Sequence, residues 1–167
     1  MKKQDQVRKT EYLWKMRDQS KGIQITDELK NPPETLWKYV SNTNLINKKA
    51  GMNKVDYEFR ENPNGGTFTS CKQWINGFPM EYEELPYEWK KNVWFGVERV
   101  FTKGVMRYYR ITYNLEKNDS GGTNITIYYD YVDTPLVRLF SSLLIRFLFP
   151  NTWLQSNMFI APILIHL

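Results

Sequence analysis

Two hydrophobic periods organise this chain. From 55 to 132 apolar and polar side chains alternate, whereas the flanking stretches repeat their apolar residues every three or four positions. Val55, Tyr57 and Phe59 alternate with Asp56, Glu58 and Arg60, and Phe78, Met80 and Tyr82 with Glu81 and Glu83. Val93, Phe95 and Val97 open a strand that continues through Arg99 and Phe101. Tyr109, Ile111, Tyr113 and Leu115 share one face, and so do Ile125, Ile127, Tyr129 and Tyr131. Asn64-Gly65-Gly66, Asn76-Gly77, Lys103-Gly104 and the stretch 119–122 separate these runs with residues suited to tight turns, which predicts successive antiparallel hairpins. An aromatic loop, Leu85, Pro86, Tyr87, Glu88 and Trp89, interrupts the alternation.

Outside that region the period is helical. Residues 11–20 carry Tyr12, Leu13 and Met16 at the spacing of a short amphipathic helix, with Gly22 as its stop. Ile23 and Ile25 then alternate with polar neighbours as a first strand, ended by Asn31-Pro32-Pro33. Pro33 suits a first helical turn, and Leu36, Tyr39 and Val40 give the helix that follows an apolar stripe; a second turn near 45–49 stops at Gly51. Thr134-Pro135 predicts the start of a long helix over 136–149, where Leu136, Leu139, Phe140, Leu143 and Phe147 line one side. A one-faced sheet leaves its apolar row exposed unless something covers it, and this last helix is the available cover. The expected fold is therefore α+β, a curved antiparallel sheet of about seven strands around a long C-terminal helix. It divides into a basic arm or short helix over 1–22, the main domain over 23–150 and an apolar tail or extension over 151–167.

Composition narrows the chemistry. One cysteine, Cys71, and one histidine, His166, exclude an internal disulfide, a thiolate zinc cluster, multi-histidine metal sites and Ser-His-Asp catalysis. No metal or cofactor is expected. Cys71 has no histidine to serve as its base and reads as an unreactive thiol. The polar start, with no apolar stretch behind it, and the absence of a disulfide lead to an expected cytoplasmic address without a transmembrane span. The net charge of +5 gathers in the first segment, which reads as a solvated arm or as a steering patch for an anionic partner. Lys48-Lys49 near Trp37 and Tyr39 lacks an aromatic-basic strand motif, so no nucleic-acid partner is expected.

The order of strand, short helices, antiparallel meander and long helix resembles the helix-grip fold of the START-like (SRPBCC) superfamily, which includes polyketide cyclase-like and lipid-transfer domains. More specific runs at 37–44 (WKYVSNTN), 47–51 (NKKAG), 85–89 (LPYEW) and 96–101 (GVERVF), with Lys103-Gly104, resemble the START-like domain that precedes the catalytic domain of some bacterial adenylate/guanylate cyclases. The resemblance implies a sensory or regulatory module acting on a downstream cyclase domain, which this chain does not itself contain.

Aromatic residues make up 16% of the chain, and they fill a core or line a cavity with the same alternation. The candidate ligand-binding residues on the sheet's apolar face are Phe59, Phe95, Tyr109, Tyr113, Tyr129 and Tyr131, with Tyr87 and Trp89 as a candidate loop lid. Arg99 shares the face of Val97 and Phe101, where it pairs with a carboxylate on a neighbouring strand or meets an anionic ligand. Glu81, Glu83, Glu84 and Glu88 form either a solvated edge or a divalent-cation cluster. Three functions fit: a noncatalytic module binding a small apolar or amphipathic ligand or a protein partner, a polyketide-cyclase-like enzyme acting on a hydrophobic carbonyl compound, and a ligand-free dimerisation domain. The apolar end at 158–167 favours association, including a homodimer.

Overall fold

The structure is a computed structural model that describes residues 3–61, 67–75 and 77–134. The long helix expected over 136–149, the tail and the Asn64-Gly65-Gly66 turn lie outside the described residues. The elements are α1 (Lys3–Gln19), β1 (Lys21–Leu29), α2 (Pro33–Val40), α3 (Thr43–Lys49), β2 (Asp56–Glu61), β3 (Thr67–Ile75), β4 (Phe78–Glu84), β5 (Glu88–Lys90), β6 (Trp94–Lys103), β7 (Met106–Lys117) and β8 (Thr123–Asp133). No described helix is long and apolar enough to cross a membrane.

The strands form one antiparallel sheet in the order β1-β8-β7-β6-β4-β3-β2, with β5 pairing β6 beside it. The sheet has 8 strands, in keeping with the expected antiparallel sheet of about seven. The extra strand, β5, lies in the expected aromatic loop: Glu88, Trp89 and Lys90 pair with Gly96, Phe95 and Trp94. All three side chains are exposed, so no alternation marked it as a strand.

The turns after β6 and β7 both need glycine. Gly121 has φ 86° and closes the β7–β8 turn, donating its amide to Asn118 O at 3.1 Å. Gly104 has φ 132°, and a Cβ there would fall inside contact distance of Met80 Sδ.

Helices cover both sheet faces. On one, α2 and α3 place Leu36, Tyr39, Val40 and Ile46 against Phe95, Val97, Ile111, Tyr113, Ile125 and Ile127. Asn42 caps α3 by accepting from Leu45 N at 3.0 Å, and Asn44 pins it to the following segment by exchanging two hydrogen bonds with the Val55 backbone. A second apolar cluster lies further across this face, built from Val55, Cys71, Met80 and Tyr82.

On the opposite face α1 packs Met16 against Tyr108 and Val132. Arg17 Nε donates to Glu98 Oε1 at 2.9 Å, and the Tyr108 hydroxyl donates to the same carboxylate at 2.6 Å. The segment expected as a short helix at 11–20 is therefore longer, and the side chains that anchor it are not solvated: Met16 is 1% exposed. Gly22 is not its stop; the helix ends at Gln19 and Gly22 belongs to β1.

Candidate functional site

A cavity of about 70 Å³ lies at the seam between the two apolar clusters on the α2–α3 face. Val40, Thr43, Ile46 and Asn47 form its helical wall, and β6 and β7 supply Phe95, Val97, Arg99, Phe101, Tyr109, Ile111 and Tyr113. The far side is closed by Gln73 and Ile75 of β3, Tyr82 of β4, and Met52 and Met106. Polar side chains hold the helical wall in place. Asn47 Nδ2 and Gln73 Nε2 both donate to Asn53 O, at 3.4 and 2.9 Å, and tie α3 to β3.

Period 2 brings an ion pair into this apolar setting. Arg99 follows Val97 on the inner face of β6, Glu84 follows Tyr82 on the inner face of β4, and the register places Glu84 opposite Arg99. Arg99 Nε donates to Glu84 Oε2 at 2.8 Å and Nη2 to Thr43 Oγ1 at 3.1 Å. The Tyr87 hydroxyl donates to the other Glu84 oxygen. The side chains of Arg99 and Glu84 are 13% and 1% exposed. The guanidinium also sits over the rings of Tyr82 and Tyr109, 5.2 and 5.9 Å from their centroids.

One tyrosine hydroxyl of the lining is buried and unpaired. Tyr82 is 3% exposed, and its hydroxyl is a buried polar atom with no hydrogen-bond partner. The Tyr109 and Tyr113 side chains line the same cavity, beside Arg99. Burial pushes all three phenols above the ordinary tyrosine range, so they remain protonated donors at neutral pH. An unpaired hydroxyl this deep costs about 1–3 kcal/mol of desolvation, which a guest with a matching polar atom relieves.

Of the residues expected to bind a ligand, Phe95, Arg99, Tyr109 and Tyr113 line the cavity. Tyr129 is buried beside it, its ring 6.1 Å from that of Tyr109, but packs into the apolar cluster. Tyr131 pairs across β7 with Tyr109 and does not reach the lining. Phe59 has the expected face, opposite Thr69 on β3, but it is 70% exposed and stacks on Tyr57 away from the cavity. The candidate lid residues stand at the Phe95 end. Tyr87 lies 5.4 Å from the Phe95 ring, and Trp89, 60% exposed, lies 6.2 Å from Trp37. Thr43, Tyr82 and Glu84 were not singled out from the sequence as ligand contacts. Glu84, grouped there with a solvated edge or cation cluster, is instead buried against Arg99, while Glu81 points outward to Lys103. No group of three or more potential metal ligands occurs among the described residues. Lys38 and Lys49 lie over the ring of Tyr39, which is itself buried and offers no open face for a base to stack on.

Cys71 is 1% exposed in the second cluster. Burial, then the nearby Glu84 carboxylate, pushes its thiol up to about 12. Iodoacetamide labelling of the folded protein is therefore expected to stay slow through pH 9 and to go to completion only in denaturant. Rapid labelling of the native protein at pH 8 would contradict this placement.

No family model matches the chain, and no curated protein matches it. Solved structures do. The di-domain aromatase/cyclase BexL from the BE-7585A biosynthetic pathway aligns at TM-score 0.62 and 11% identity, over 97% of this chain and 57% of that one. Ara h 8.0201 aligns at 0.55 and 15% identity, over 87% and 95% of the two chains. A START superfamily protein from Mycobacterium smegmatis aligns at 0.54 and 13%, over 87% and 94%. The shared feature is the fold: this chain has a START-like architecture, with the cavity between the short helices and the inner face of the sheet.

Proposed function

We propose that this chain is a noncatalytic module that binds a small apolar or amphipathic ligand between α2–α3 and the sheet. The observation that carries the reading is the Tyr82 hydroxyl, buried without a partner in the wall of a cavity that is otherwise largely apolar. The solved structures that share its fold include an aromatase/cyclase and a START superfamily protein, and this likeness in fold supports the reading of a START-like ligand-binding module. The cavity is small against the roughly 300–1,000 Å³ of ordinary ligand pockets. It suits a compact guest or the head of a longer one, and a multi-ring polyketide would require it to open.

Binding fits the site better than catalysis. Arg99 and the tyrosines can orient a carbonyl, but proton transfer also needs a base with a free lone pair and a pKa near the working pH. The lining tyrosines and the nearby Cys71 are pushed upward, and both Glu84 oxygens are engaged by Arg99 and Tyr87. The regulatory part of the reading, in which occupancy shifts the docking of a downstream cyclase domain, rests on the five short sequence runs.

The test is a screen of short-chain alcohols, ketones and aromatic metabolites by thermal shift and methyl NMR. Saturable shifts are expected at Val97, Ile111 and Met106, and Ile46→Phe, which fills the cavity from α3, should weaken binding at least ~10-fold. A screen with no saturable binder would overturn the proposal, as would a binder indifferent to Ile46→Phe.

A further inference from the structure

Within that binding reading, on which this inference rests, the polar groups of the cavity also specify the ligand's head. We infer that the site selects a neutral head carrying a carbonyl or hydroxyl oxygen and discriminates against a carboxylate, because Arg99, the cation among the described residues of its wall, is already neutralised by Glu84.

An inward arginine in an apolar cavity ordinarily points to an anionic guest. Here the charge is spent before a ligand arrives. Arg99 and Glu84 meet at 2.8 Å through Nε and Oε2, and Glu84 is the more buried of the two. A carboxylate brought to Arg99 would meet a neutral pair and come close to a second buried carboxylate, having given up its own hydration. The remaining hydrogen-bonding capacity asks for an acceptor of no charge. The Tyr82 hydroxyl is a donor without a partner, and the Tyr109 and Tyr113 hydroxyls and the Arg99 guanidinium stand with it in the lining. All are N–H or O–H groups that a ketone, amide or alcohol oxygen satisfies, and a hydroxyl guest can also donate to a tyrosine oxygen. Apolar Val97, Phe101, Ile111 and Met106 accommodate the rest of a compact molecule.

The test uses three small probes at pH 7, followed through the Ile111 and Met106 methyl signals: butanone, propionate and xenon. Xenon reports whether the cavity admits a guest at all, and the other two report the head. Butanone is expected to bind saturably and at least ~10-fold more tightly than propionate. Tyr82→Phe should weaken butanone at least ~5-fold and leave xenon unchanged. In Glu84→Gln, where Arg99 loses its counter-charge, the preference for butanone over propionate should fall at least ~10-fold. If Glu84→Gln does not fold, the Tyr82→Phe comparison and the wild-type ratio still decide the matter. Propionate binding as tightly as butanone, with xenon entering, would overturn the head selectivity and leave the cavity reading standing. Exclusion of all three probes would overturn the cavity reading itself. Butanone binding unaffected by Tyr82→Phe would overturn the role given to that hydroxyl.

Discussion

Glu84→Ala is expected to lower folding stability by about 3–5 kcal/mol, measured by urea unfolding, because it leaves the Arg99 guanidinium buried without its counter-charge. The carboxylate is 1% exposed and accepts from both Arg99 and Tyr87, so its removal strands two donors as well as one charge. Breaking such a pair and replacing it are different experiments. The double variant Glu84→Leu with Arg99→Met removes both charges and keeps most of the volume, and should recover the larger part of the loss. Glu81→Ala provides the contrast, since its partner Lys103 is exposed and the pair contributes no more than about 1 kcal/mol. A Glu84→Ala loss below about 1 kcal/mol would mean that water reaches the Arg99 guanidinium, and the cavity electrostatics would have to be redrawn.

The same pair shows how far the sequence could be read. Alternation placed Arg99 on the face of Val97 and Phe101, and that is where it lies. Glu84 stands in the same phase to Met80 and Tyr82, so two opposite charges faced inward on what became neighbouring strands. The signal for an internal ion pair was present, but it required knowing that β4 lies beside β6, and the intervening β5 hides that adjacency. Tyr82 was overlooked for a related reason. Its alternation is ordinary, and its distinction is a hydroxyl that finds no partner, which depends on every group around it.

Other elements were legible to the degree that a local rule governs them. Pro33 and the apolar stripe fixed α2, and the glycine turns fixed the β6–β7 and β7–β8 hairpins. Only Leu13 and Met16 of α1 pack inward among its described side chains, and its polar N-terminal half carries no stripe by which its full length could be read. The three-residue β5 is held by backbone pairing and has no buried side at all.

Alternation names a face but not what lies above it, and a pair of truncations separates the two. Leu36 of α2 and Phe59 of β2 are both apolar residues on the α2–α3 side of the sheet, Leu36 packed in the main apolar cluster and Phe59 in phase with Tyr57 on its strand. Leu36 is 0% exposed, whereas Phe59 is 70% exposed. Leu36→Ala is therefore expected to cost about 2–5 kcal/mol, the lost transfer of the side chain plus a void that a helix pinned on α3 and β1 can only partly close. Phe59→Ala should cost less than about 1 kcal/mol, although phenylalanine is the larger residue. Because α2 also supplies Val40 to the cavity wall, Leu36→Ala should broaden the methyl signals of Val40 and Val97 while leaving those of Val132, on the opposite face, unchanged. Equal losses from the two truncations would mean that Phe59 is covered in solution, and the working surface of the sheet would then extend across β2.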